Sequence, residues 1–157
     1  MMIGVIGGEQ CSPAEGETAF AVGRELASRG HTLVCGGRGG VMREVCRGAR
    51  SEDGVTVGIL PGDDRSDMNE FVTVPIVTGI GFARNTMIPR TADALVAVGG
   101  RYGTLSEIAF ALIAGRPVVT MGSWDLTLPD GATAPLVSCD DASAAIDACE
   151  RLAAGAS

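Results

Sequence analysis

Thr104 and Glu107 stand three residues apart behind a glycine pair, in the segment VGGRYGTLSEIAFAL (98–112), and two readings fit that spacing. In one, the two side chains form a capping box, the Thr hydroxyl and the Glu carboxylate satisfying free amides of a helix's first turn. In the other, Gly103 and Thr104 cradle a phosphate at that helix start. Glu107, one turn in, then points across the same pocket mouth, where a carboxylate can take a proton or face a developing positive charge.

The glycines before Thr104 recur elsewhere. Three pairs, Gly7-Gly8, Gly36-Gly37 and Gly99-Gly100, each follow an apolar run that reads as a strand. The second continues through Arg38, Gly39 and Gly40, the third through Arg101 and Tyr102 to Gly103. Glycine allows close approach of backbone to ligand, and a following helix offers free N–H groups and a positive dipole end to an anion. Ordinary strand-to-helix turns also use glycine; it is the repetition at successive strand ends that points to a phosphate.

Arginine supports the same expectation. Arg38, Arg43, Arg47, Arg84, Arg90 and Arg101 are half of the arginines, and all fall in or near these loops or in the segment before the last glycine pair. Arg43 and Arg47 also fit a solvated helix face. Arg84 is the best candidate for the pocket, with Met87 beside it, because its segment leads directly into the strand that ends at Gly99.

Composition removes several alternatives. The chain has twelve Arg and no Lys, which excludes a lysine Schiff base, pyridoxal-phosphate chemistry and a Walker-type phosphate loop. His31 is the only histidine and sits in a helix-to-strand turn, so neither a Ser-His-Asp triad nor a metal site is expected. GGRGGV lacks a well-placed acidic partner about 20 residues on, Asp63 being too far, so no dinucleotide cofactor is expected. A net charge of −7 argues against a nucleic-acid partner. No targeting segment or membrane span is legible, and the five cysteines, with no C-x-x-C pair, read as buried reduced packing residues. The expected location is cytoplasmic.

The elements that must carry these residues read as one Rossmann-like α/β domain over 1–157, a doubly wound, mostly parallel sheet with helices on both faces. Its 46% hydrophobic residues with only 4% aromatics suit a Val/Ile/Leu/Ala core. Strands are expected at 2–6, 31–35, 55–60, 71–77, 94–98 and 117–121, and helices at 14–28, 41–50, 104–114 and 142–154. Pro75 marks an edge strand or a strand end. Residues 63–70 and 122–134 read as loops, and GFARNTMIPRTAD as largely helical, with Pro89 either kinking it or opening a final turn.

GGRGGVM, TGIGFARNTM and GGRYGTLSE, in this order and spacing, resemble the LOG family, Rossmann-like proteins once labelled lysine-decarboxylase-like, whose characterised members are cytokinin riboside 5′-monophosphate phosphoribohydrolases. The resemblance spans residues 2 to 121. It implies that Arg84 and Glu107 form a catalytic pair, that Gly103 and Thr104 belong to the phosphate loop, and that the protein is a homodimer. Two departures, Asn85 where the family carries Lys and the replacement of the motif's leading Pro and second Gly by Gly99 and Arg101, look more like a sister branch that includes molybdenum-cofactor carriers. The resemblance thus implies hydrolysis of the N-glycosidic bond of a nucleoside 5′-monophosphate or, in the alternative, carriage of a nucleotide or phosphorylated pterin without turnover.

Overall fold

A computed structural model describes residues 1–155. Seven strands, β1 (Met2–Gly7), β2 (Thr32–Cys35), β3 (Thr56–Leu60), β4 (Val74–Val77), β5 (Ala94–Val98), β6 (Val118–Met121) and β7 (Leu136–Ser138), form one sheet in the order β4-β3-β2-β1-β5-β6-β7. All six pairings are parallel, with Gly4 opposite Leu95 and Gly7 opposite Val98 at the centre. The apolar runs of β3 and β5 are buried along their whole length, as parallel strands covered on both faces require.

Five helices cover the sheet: α1 (Pro13–Ser28), α2 (Val41–Arg50), α3 (Met87–Thr91), α4 (Tyr102–Ile113) and α5 (Ala142–Gly155). One core joins α1, α2 and α5 to the sheet through Val22, Leu26, Val45 and Ile146. The opposite face is closed by Ile88 of α3 with Ile108 and Ala111 of α4. Each fully buried Ile, Leu or Val contributes about 1.5–3 kcal/mol. The sheet is therefore doubly wound, and strand order reverses between β1 and β5, whose following loops diverge to opposite faces. An opening at that place is where α/β sheets bind ligands.

Two glycines bring α1 and α2 into backbone contact. A Cβ on Gly23 would stand 2.0 Å from the Val45 carbonyl oxygen, and one on Gly48 would stand 2.0 Å from the Phe20 carbonyl oxygen. No larger residue fits that crossing.

The differences from expectation are local. The fourth strand is only Val74–Val77, and β4 is an edge strand on which Pro75 is paired with Gly58 on its inner side, so its missing N–H interrupts no second ladder. Beyond the loop at 122–134, Leu136–Ser138 adds a seventh strand whose three residues are too few to show a periodic pattern. The segment expected as one helix divides into a 3₁₀ turn, Gly81–Thr86, and α3. Pro89 is the third residue of α3, where an N–H has no intrahelical acceptor to lose. Asn69, in the loop at 63–70, is buried: its side-chain Nδ2 donates to the Arg38 carbonyl and its backbone N to that of Gly37, which fixes the second glycine loop. All five cysteines are free thiols, but Cys11 and Cys139 are only partly buried.

Candidate functional site

The switch point between β1 and β5 opens into a cleft of about 720 Å³. Its floor and walls come from four places: the loop after β1 (Gly7, Gly8, Glu9, Gln10), the loop after β2 (Gly36, Arg38), the 3₁₀ turn (Gly81, Phe82, Arg84, Asn85) and the start of α4 (Gly100, Arg101, Gly103, Thr104, Glu107). Each stretch follows a strand of the central sheet, which is why residues scattered over a hundred positions converge.

At the floor, Arg84 Nη1 donates to Glu107 Oε1 at 3.2 Å, and the side chains are 10% and 7% exposed. Burial pushes the Glu107 carboxyl up to about 7, even though the Arg84 charge pulls it down. The same burial lowers the Arg84 pKa against the attraction of Glu107 and of nearby Cys35 and Glu9. The guanidinium lies over Gly36, where a Cβ would come within 2.6 Å of Arg84 Nη2 and of Met42 Sδ. Arg84 Nε is buried with no hydrogen-bond partner, as is Arg38 Nε. Buried donors of this kind are normally hydrogen-bonded.

The capping-box reading of Thr104 and Glu107 does not hold. Helix α4 starts at Tyr102, so its N-cap is Arg101, no side chain caps it, and Glu107 is taken by Arg84. A real capping box lies at the start of α1 instead, where Glu15 N donates to Ser12 Oγ and Ser12 N donates to Glu15 Oε2 at 2.7 Å. The S-x-x-E spacing of Ser12 and Glu15 was the sequence signal for it. The contrast separates the two helix starts: α1 satisfies its own first turn, whereas the first-turn amides of α4 have no side-chain acceptor.

Glu15 also reaches the loop after β5. Its carboxylate rests on Gly99, where a Cβ would stand 1.9 Å from Oε1, and it is hydrogen-bonded by the Gly100 amide. Its pKa is lowered, first by the Ser12 amide, then by the Ser12 hydroxyl, with Gly100 and Arg101 adding to these. Only glycine with its φ of +51° suits position 99.

Of the residues expected at the site, Gly7, Gly8, Gly36, Arg38, Arg84, Gly100, Arg101, Gly103, Thr104 and Glu107 line the cleft. The other six do not. Gly37 donates its N–H to Cys35 Sγ, Gly39 and Gly40 pack against the Glu9 backbone, and Met87 packs into the core under α4. Gly99 lies beneath Glu15 and opens toward a smaller adjoining depression, and Tyr102 is 82% exposed beside Trp124. Residues not foreseen are Glu9, Gln10, Glu15, Met42, Phe82 and Asn85, the last donating through Nδ2 to Ser106 Oγ at 3.1 Å. Among the described residues, no three His, Cys, Asp or Glu side chains converge as metal ligands, and no helix is long and apolar enough to cross a membrane.

Residues 1–145 match the model of the SLOG cluster4 family. The molybdenum cofactor binding protein of Rippkaea orientalis superposes with a TM-score of 0.88 at 32% identity over 96% of both chains. The molybdenum cofactor carrier protein of Chlamydomonas reinhardtii does so with a TM-score of 0.84 at 35% identity over 98% of both. The cytokinin riboside 5′-monophosphate phosphoribohydrolase of Mycobacterium tuberculosis is 32% identical over 117 residues, 69% of this chain and 63% of that protein, so this chain spans less than two thirds of its length.

Proposed function

Because the chain belongs to the SLOG cluster4 family, we propose that the cleft binds a phosphorylated small molecule and hydrolyses the N-glycosidic bond of a nucleoside 5′-monophosphate. The observation that carries this reading is the buried Arg84–Glu107 pair, with a guanidinium donor left unmet beside the uncapped start of α4. The 5′-phosphate takes the first-turn amides of α4 at Gly103 and Thr104, with Arg84 and Arg101 as counter-charges. Glu107, whose carboxyl burial raises to about 7, acts in its ionised form and faces the anomeric carbon. Water attacks that carbon and gives its proton to Glu107. The carbon–nitrogen bond breaks with its electron pair going to the base, the proton taken up by Glu107 passes on to the base's ring nitrogen, and ribose 5-phosphate remains with Glu107 ionised again. A positioned general base contributes about 10²–10⁴-fold.

A second reading, carriage of a phosphorylated cofactor without turnover, is favoured by one observation. The full-length likeness is to proteins named for molybdenum cofactor binding and carriage, whereas the phosphoribohydrolase match is partial. The proposed assembly is a homodimer in either case.

Two measurements decide. AMP raises the melting temperature and adenosine does so far less, a ligand at a hundredfold excess over its Kd adding about 2.7 kcal/mol; equal shifts remove the phosphate site. Release of ribose 5-phosphate from a panel of nucleoside monophosphates supports the hydrolase. No release, together with tight retention of molybdopterin or a nucleotide, replaces it with the carrier.

A further inference from the structure

Phe82 is 88% exposed, yet it lines the cleft two residues from Arg84, which is buried at the floor. We propose that Phe82 is the specificity-determining residue of the cleft, the surface on which the planar heterocycle of the phosphorylated ligand stacks. The inference rests on the reading of the cleft as a phosphorylated-ligand site and adds what that site selects.

Three observations carry it. First, the aromatic ring is held at the rim by backbone. Gly79 N donates to the Gly62 carbonyl and Gly81 N to the Pro61 carbonyl, at 2.9 and 3.0 Å, so the start of the 3₁₀ turn is fastened to the turn after β3 and Phe82 stands at the rim beside Pro61. Second, a 3₁₀ turn brings residues three apart into register, which places Asn85 below Phe82. Asn85 also lines the cleft, and one of its amide hydrogens is directed to Ser106 Oγ. Third, the cleft has both kinds of surface. Arg38, Arg84, Arg101 and Glu107 are charged, whereas Phe82 and Pro61 at the rim are apolar, and about 720 Å³ exceeds what a sugar phosphate fills. A flat, polar-edged ring joined to a phosphorylated sugar matches both: its face covers the exposed phenyl and its edge meets Asn85.

The competing occupant of Phe82 is another protein chain, since Ile80 and the β4 residues Val74, Ile76 and Val77 are exposed as well. The test separates the two. The full chain and its Phe82→Ala and Phe82→Tyr variants are titrated calorimetrically with ribose 5-phosphate and with formycin 5′-monophosphate, a C-nucleotide whose glycosidic bond cannot be hydrolysed, and each is sized by sedimentation velocity. The expected result is that Ala weakens formycin monophosphate about tenfold or more and leaves ribose 5-phosphate unchanged, that Tyr restores binding, and that the mass is the same throughout. Equal loss for both ligands, loss for neither, or a change of assembly state in Phe82→Ala overturns the stacking role. Wild type that binds ribose 5-phosphate as tightly as formycin monophosphate overturns it while the phosphate site stands. Wild type that binds neither removes the phosphate site and this inference together.

Discussion

Arg84 Nη1 and Glu107 Oε1 lie 3.2 Å apart in a pair that is at least nine-tenths buried, joined across the sheet's switch point from two segments 23 residues apart in sequence. A buried pair of this kind contributes little net stability, because desolvation offsets attraction, yet removing one partner strands the other. Such a pair adds little to folding, and its place at the floor of the cleft is the one the proposed reaction uses.

Glu107→Gln is expected to abolish ribose 5-phosphate release, by about 10²-fold or more, while ligand-induced stabilisation by AMP persists. The amide can still accept from Arg84 but cannot take a proton from water. Coupled assay of the product beside thermal melts with AMP checks this; activity within a few-fold of wild type would remove Glu107 from the reaction.

Stability should fall as pH rises through the Glu107 titration. The folded carboxyl titrates at about 7 and the unfolded one near 4.5, so between those values the native state holds the extra proton. Its contribution is complete below about 4.5, declines on the way up and is gone above about 7, a change on the order of 3 kcal/mol. Denaturant melts of wild type and Glu107→Gln from pH 4.5 to 8 should diverge over that window and run parallel above it. Arg84→Ala, which removes the charge pulling Glu107 down, moves the window to higher pH and also abolishes turnover and the AMP-dependent shift.

Gly36→Ala is expected to separate function from folding. The added methyl meets only the far ends of Arg84 and Met42, which can swing away, so stability changes by about 1 kcal/mol or less. The guanidinium shifts against Glu107 without leaving it, and a misplacement of about 1 Å costs on the order of 10²-fold in rate. Unchanged turnover in a variant with native melting behaviour would show that the seat over Gly36 is immaterial.

Gly23→Ala is expected to do the reverse, because its methyl meets the Val45 carbonyl on a neighbouring helix and neither backbone can yield alone. A loss of about 3 kcal/mol or more is expected from urea unfolding. A melting temperature equal to wild type would mean that the two helices part easily.

Much of this arrangement was legible in advance, and the reasons differ by element. The strand ALVAV (94–98) and the start of α2 after Gly40 are local patterns, and they stand where expected. Arg84 and Glu107 were legible through motif resemblance, and the cleft contains both. Of the two readings of Thr104, capping fails because the N-cap of α4 is Arg101, three residues earlier than the spacing suggests. Phe82, Glu15 and Asn85 were not expected to line the cleft, for a different reason. Each reaches the cleft through a tertiary relationship, a backbone staple to Pro61, a carboxylate crossing to Gly100 and an amide tied to Ser106, and none leaves a periodic trace in the chain.

The glycine crossing of α1 and α2 makes the two walls of the cleft unlike in construction. With Gly23 against Val45 and Gly48 against Phe20, the two helices form a single slab, and the loops after β1 and β2 that run into it form one wall. On the far side, residues 79–86 are joined to the Pro61–Gly62 turn by two backbone hydrogen bonds, at glycines with φ of +63° and +57°, and to α4 through Arg84 and Asn85. The two walls are thus made in different ways, one by helix packing without side chains and the other by a few polar ties. A substitution at Gly79 or Gly81 therefore reaches the seat of Arg84 without touching the slab.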